Sequence, residues 1–274
     1  FYLTGLHEPG IALTIDFTGK ITLYVPATKG NRAQWVHSQI DLSEKNKSIL
    51  KVDAIVPLGQ PLDGYQMHSF TGLDHYDALV GAINDVVAQD GTIFTLAPHH
   101  AGYYAEQRAL LMQLNQVVPS LPSHIENISP FLARMRQKKD MHEINQISAA
   151  VDITILAQEA ASQAISPGVT ECEVQAGLEY MITGSCARMA FPSIVAGGAH
   201  ATILHYTSNK AELKDGDLVV VDIGAAVGNY CADLTRTYPV SGYFTKRQKE
   251  LYNLVLDTQE YIANIAKPGF WLSN

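Results

Sequence analysis

Two short segments, Asp217 to Gly224 and Tyr230 to Thr237, each read as a β-strand, rich in β-branched and apolar residues and bounded by Gly or Asp. The stretch Ala225-Ala226-Val227-Gly228-Asn229 between them offers Gly and Asn for positive φ, as a hairpin turn demands. So short a connection leaves the two segments little choice but to pair with each other. With the turn centred on Val227-Gly228, Gly224 is expected opposite Cys231, and Asp222 opposite Asp233. The two carboxylates then share one face, with Cβ atoms about 4.5–5.5 Å apart. Like charges so placed repel, and a half-buried face worsens the repulsion.

Three arrangements resolve this conflict. A proton can be shared between the carboxylates. One cation, or two roughly 3.5–4 Å apart, can sit between the oxygens. Or the register slips and one aspartate turns to solvent. Spacing by itself leaves all three open.

Further motifs flank this hairpin. In order they are Phe191-Pro192-Ser193-Ile194-Val195-Ala196-Gly197-Gly198, Ile203-Leu204-His205-Tyr206-Thr207, Asp215 to Gly224, and Ala232 to Gly242. Together they resemble the pita-bread metallopeptidases (family M24), and within them the Xaa-Pro aminopeptidase (aminopeptidase P) and prolidase branch. The resemblance runs from Arg134 to the end, and more loosely over the first part. It implies an α/β (α+β) chain: a creatinase-like amino-terminal α/β domain at 1–130, lacking its first elements, then the first part of a pita-bread catalytic domain at 131–274.

The chemistry implied is removal of an amino-terminal residue next to proline by metal-activated hydroxide. Asp222 is implied as a ligand chelating one of two divalent ions, and Asp233 as one bridging both. Oxygen-rich ligation suits a hard ion such as Mn2+, with Zn2+ or Co2+ as alternatives. His205 corresponds to a family histidine beside the metals that contacts substrate or intermediate. The partners implied are short peptides with proline second, within a homo-oligomer, dimer or tetramer. The family's further ligands, one His and two Glu, come from segments later than Asn274. The chain alone is therefore expected to bind metal weakly or not at all and to show negligible peptidase activity. Xaa-Pro dipeptidase (prolidase) and a non-catalytic pita-bread binding module are the alternatives. Retention of both aspartates argues against the module and against creatinase-like amidinohydrolases, and the large amino-terminal region argues against methionine aminopeptidase.

Composition narrows the setting. The net charge of -8, with no basic stripe, argues against nucleic acid and anionic membrane as partners. No apolar run approaches the roughly 18 residues of a membrane span. Cys172, Cys186 and Cys231 are scattered and odd in number, which points to a reduced, cytoplasmic protein. The first residue is Phe1 rather than Met, and both ends read as cut.

In the first half, Ile11–Phe17 and Ile21–Val25 flank a Thr18-Gly19-Lys20 turn and read as a hairpin. Strand-like Ala54–Pro57 and Thr92–Leu96 alternate with helical patterns at Tyr76–Val87, with Asp74 as N-cap, and at Tyr104–Leu114. His68, His75, His99 and His100 have no partners at metal-site spacing and read as loop residues. Pro119 to Pro130 reads as a linker.

Beyond it, a long helix should run to about Ile165, with Ile144, Ile147, Val151, Ile155 and Leu156 as its apolar face. Thr170 and Glu173 form a capping box for the next helix; Cys172 in its first turn lacks a basic neighbour and reads as bland. Ala196 to His200 lacks the lysine of a phosphate loop, and no G-x-S-x-G elbow supports a serine hydrolase. His205 is expected on a strand, Arg236 in an ion pair behind the aspartates. An amphipathic helix from Thr245 is expected to pack on the back of their sheet.

Overall fold

The computed structural model describes residues 2–6, 10–30, 34, 40–63, 76–97 and 105–270. The chain divides into two compact units, Phe1–Lys138 and Lys139–Asn274.

In the first unit, β1 (Ala12–Ile15) and β2 (Ile21–Val25) pair antiparallel around the expected turn. Asp16 Oδ1 accepts from the Thr18 and Lys20 amides there. After β3 (Thr28–Lys29) come α1 (Glu44–Leu50) and β4 (Ala54–Pro57), which joins β2 in parallel, and then β5 (Leu62–Asp63), parallel to β3. Helix α2 (Asp77–Ala88) begins beside Tyr76, which is its N-cap; Asp74 lies outside the described residues, as do His68, His75, His99 and His100. β6 (Ile93–Thr95) and α3 (Ala105–Val117) follow.

The expected linker is partly regular structure. Leu121–His124 is a short 3-10 turn, β7 (Ile125–Asn127) pairs in parallel with β6, and α4 (Ser129–Gln137) starts with proline in its first turn. Its Ser, Pro and Asn are turn and cap residues: Asn127 Oδ1, for example, accepts from the Ser129 amide. Small cores sit around Leu23, Val25 and Ile40, around Tyr24, Leu58 and Tyr76, and around Leu114, Val118 and Leu121.

The second unit opens with α5 (Met141–Ala164) and α6 (Glu171–Gly184), each started by a full capping box, Asp140 with Glu143 and Thr170 with Glu173. Next come β8 (Arg188–Met189), β9 (Ile194–Gly197), β10 (Leu218–Ile223), β11 (Ala225–Val227), β12 (Tyr230–Cys231), β13 (Leu234–Pro239) and α7 (Lys246–Ile265). β10 lies between β9 and β13, antiparallel to both, and β11 between β8 and β12. Alternation along β10 sends Val219, Val221 and Ile223 into a core with Val174, Leu178 and Ile182 of α6. Each such side chain contributes about 1.5–3 kcal/mol on burial.

Two expectations about helix faces fail. Ile144, Val151, Ile155 and Leu156 are exposed on α5, and its buried face is Glu143, Ala150, Thr154, Ala157, Gln158 and Ala161. Small and polar side chains face the strands because the helix lies close to them and must supply hydrogen bonds there. Helix α7 starts at Thr245 as expected, but it buries none of its side chains, and Leu254, Val255 and Ile262 are exposed. Gln248 ties its first turn to the Gly216 carbonyl, and the Phe244 ring leans on Tyr252.

Candidate metal centre and the His205 segment

The hairpin turns one residue later than expected, which moves every cross-strand partner by two. Val227 faces Tyr230, and Gly228 and Asn229 form the turn with φ of +53° and +67°. Positive φ at both central residues is the twist-matched form for a two-residue hairpin. Asp222 therefore stands opposite Thr235, not Asp233. A shift of two preserves the face, since side chains alternate with period two. Asp233 is a diagonal neighbour of Asp222, close enough to feel it. The Asp233 carboxyl is pushed above the usual range by desolvation, then by the Asp222 charge and by a hydrogen bond with it. Asp233 is exposed and Asp222 half-buried. Thr235 Oγ1 donates to Asp222 Oδ1 at 2.8 Å.

The ladder breaks between the two aspartates, at Gly224. A Cβ there would lie 1.9 Å from the Ala232 carbonyl oxygen and 2.9 Å from Phe191, so only glycine passes. Helix α5 supplies the hydrogen bonds that the break leaves open. Thr154 Oγ1 accepts from the Ala225 amide at 2.9 Å. Gln158 Nε2 donates to the Val221 and Leu234 carbonyls at 3.1 and 2.7 Å, the residues adjoining Asp222 and Asp233. Tyr238 in turn holds Gln158 Oε1. About three turns nearer its start, α5 places Glu143 Oε1 2.7 Å from the Tyr230 hydroxyl, which donates to it. These polar side chains fix the carboxylate pair from behind. A sequence reading that follows only apolar periodicity passes over them; Thr154 and Gln158 at i, i+4 are the signal.

Two carboxylates side by side, one of them with its ionised form disfavoured by desolvation and by the other's charge, offer hard oxygen atoms of the kind that suit a divalent cation. Among the described residues no third His, Cys, Asp or Glu joins them. Arg236 makes no ion pair among the described residues; its guanidinium donates to the Thr235 carbonyl. An exposed arginine gains little from pairing across water.

His205 is in an exposed turn, not a strand, following the 3-10 turn Gly198–Thr202. Ile203 and Leu204 beside it are exposed, so the apolar run reflects no core burial. Among the described residues its imidazole has no hydrogen-bond partner. Its neighbour Tyr206 is anchored: the phenol donates to Glu171 Oε2 at 2.8 Å, and the ring stacks on His200 at 4.4 Å.

Residues 145–273, which hold both aspartates and His205, match the profile of metallopeptidase family M24. Over 148 residues, 54% of this chain and 34% of the relative, the chain is 40% identical to the Xaa-Pro aminopeptidase of Haemophilus influenzae. A probable Xaa-Pro aminopeptidase PEPP of Fusarium vanettenii is 28% identical over 98% of the chain and 51% of its own length. The chain thus spans about half the length of the relatives it matches throughout. Proline aminopeptidase P II from Yersinia pestis superposes with a TM-score of 0.73 at 28% identity, over 94% of this chain and 57% of that one. Zinc-substituted aminopeptidase P from Escherichia coli gives 0.76 at 25% identity, over 98% and 58%. The mixed α/β fold with its M24 pita-bread segment is that of aminopeptidase P. No helix among the described residues is long and apolar enough to cross a membrane.

Proposed function

We propose that this chain carries part of the active site of an Xaa-Pro aminopeptidase, a metallopeptidase that cleaves between an amino-terminal residue and proline. The observation that carries the reading is the Asp222–Asp233 pair, converging on one face inside the M24 segment, with Asp233 raised by its neighbour's charge. The names of the Haemophilus influenzae and Escherichia coli relatives support the substrate class.

Asp222 and Asp233 would hold the divalent ions, two in number and hard in character, with Mn2+ favoured over Zn2+ or Co2+ by carboxylate ligation. When bound, such ions lower the pKa of a water and polarise a carbonyl. This chain's own residues do the rest. Gln158 and Thr154 hold the strands so that the carboxylates converge. Thr235 takes one Asp222 oxygen and leaves the others to a cation. His205, free of intramolecular partners among the described residues, is available to touch the peptide. The amino-terminal unit is assigned no chemistry; a creatinase-like domain over 1–130, with the pita-bread part from 131, belongs to the same reading. So does self-association into a dimer or tetramer. The exposed free thiols Cys172, Cys186 and Cys231 suit a reducing, cytoplasmic setting.

The test is manganese-dependent hydrolysis of an Xaa-Pro tripeptide, set against an Xaa-Pro dipeptide, by the natural protein carrying these residues. Asp222→Asn and Asp233→Asn should each abolish turnover and lower bound metal. Wild-type activity in either variant overturns the metal assignment, and cleavage of the dipeptide alone shifts the reading to prolidase.

A further inference from the structure

Helix α6 presents Glu171, Gln175 and Glu179, four residues apart and so on one face, to the protein rather than to water. Glu179 Oε1 accepts from the Ser193 hydroxyl at 2.7 Å and from the Gln175 amide at 2.9 Å. Gln175 Oε1 accepts from Asn209 Nδ2 at 3.0 Å, and Asn209 also reaches the Ser193 carbonyl and the Val195 amide. Glu171 heads this row and is fully buried, at 0% exposure.

The Glu171 carboxylate divides its hydrogen bonds between the two limbs of one segment. Oε1 accepts from the Gly197 amide at 2.9 Å and from His200 Nδ1 at 3.1 Å, which must therefore carry a proton. Oε2 accepts from the Tyr206 phenol at 2.8 Å and from the Ala211 amide at 2.9 Å. One side chain thus closes the chain from 197 to 211 into a loop, gripping it on both sides of His205. The imidazole of His205 has no partner of its own among the described residues, so its position is set by the backbone on either side. That backbone is held at the residue next to it, Tyr206.

We propose that Glu171 is a positioning residue for His205: its carboxylate clasps both limbs of the 197–211 loop and so fixes where the exposed imidazole stands. The proposal rests on the reading of His205 as a substrate-contacting group. An ionised carboxylate is required, because each of its oxygens meets donors only. Glutamine cannot replace it. Its carbonyl can serve one limb, but its NH2 then opposes either the Ala211 or the Gly197 amide, donor against donor.

Hydrogen exchange, turnover and metal content, measured on the natural protein, test this together. Glu171→Gln should raise exchange of the 198–211 amides about tenfold while α5 stays protected. Turnover of an Xaa-Pro tripeptide should fall about tenfold with KM and bound metal nearly unchanged. Tyr206→Phe, which removes one donor and keeps the ring, should act in the same direction by about threefold, and it stands as the test if Glu171→Gln does not fold. Unchanged exchange over 198–211 in both variants overturns the clasp, and loosened exchange with wild-type turnover overturns the positioning role. The reading of His205 fails separately, if His205→Ala retains wild-type turnover, whereas the exchange result answers for the clasp without reference to activity.

Discussion

Two groups of acidic side chains in the second unit are handled in opposite ways. Glu171 is sealed from solvent and surrounded by four donors, from Gly197, His200, Tyr206 and Ala211. Burial acts to raise its carboxyl, the largest single influence, yet the combined hydrogen bonds hold it below the ordinary range. Asp222 is half-buried and Asp233 exposed, a single hydroxyl donates to the pair, and Asp233 is held above its ordinary range. Desolvation alone does not decide the sign; the supply of donors does. A carboxylate with all its donors is committed to holding the fold. A pair short of positive partners is left open to something from outside.

The sharpest way to break this contrast is to empty the buried site. Glu171→Ala strands up to four donors in a sealed space and should cost about 3–5 kcal/mol, read by urea unfolding. Asp222→Ala, at a half-buried carboxylate with one hydroxyl donor, should change stability by less than about 1 kcal/mol. Equal costs for the two would show that the carboxylates do not differ in structural role.

Next in size is the break in the ladder that lets the aspartates converge. Gly224→Ala forces a Cβ onto the Ala232 carbonyl, which cannot move aside without parting β10 from β13. A loss of about 3 kcal/mol is expected, at the upper end for overpacking, with weaker divalent-ion binding at the pair. Retained stability would mean that the strands separate there at little cost.

The two sites also differed in how far they could be read from sequence. The aspartate pair was legible because period-two alternation fixes a face even when the register is off by two, as it was here. The capping box at Thr170 is legible because the cap is local to four residues. Glu171 was not: a glutamate in the first turn of a helix reads as a dipole-compensating surface residue. Its donors come from Gly197 to Ala211, a separation that no local pattern encodes. The faces of α5 and α7 misled for a related reason, since apolar spacing reports a stripe and not what covers it. The apolar neighbours of His205 suggest a strand, whereas Ile203 and Leu204 are exposed in a turn region.

Acid titration sharpens the comparison through opposite signs. The Glu171 carboxyl is depressed on folding, so its contribution is present above the unfolded value near 4.5 and lost as pH falls through the lower folded value. The Asp233 carboxyl is raised, so its contribution is full below 3.8 and lost as pH rises through the higher folded value. The stability gap between wild type and Glu171→Gln should therefore narrow as pH is lowered from about 6 to 3. Over the same range Asp233→Asn should begin slightly more stable than wild type, by about 0.5 kcal/mol or less at an exposed site, and lose that advantage. Slopes of the same sign in both variants would remove the distinction between the two sites.

The smallest expected effect falls on the residue between these sites in role. His205 is exposed, and its ring has no hydrogen-bond partner among the described residues, so truncation removes no buried area and strands no donor. His205→Ala should change unfolding free energy by less than about 0.5 kcal/mol. Exchange of the 198–211 amides should also stay at the wild-type rate, because Glu171, His200 and Tyr206 keep the loop closed without it. Metal content should be unaffected, since Asp222 and Asp233 are the carboxylates of the pair. Turnover should nonetheless fall, because the side chain that the loop presents is gone while everything that presents it remains. A loosened loop in His205→Ala would reverse the direction of dependence: the imidazole would then be holding the segment, and the clasp at Glu171 would not suffice to hold it.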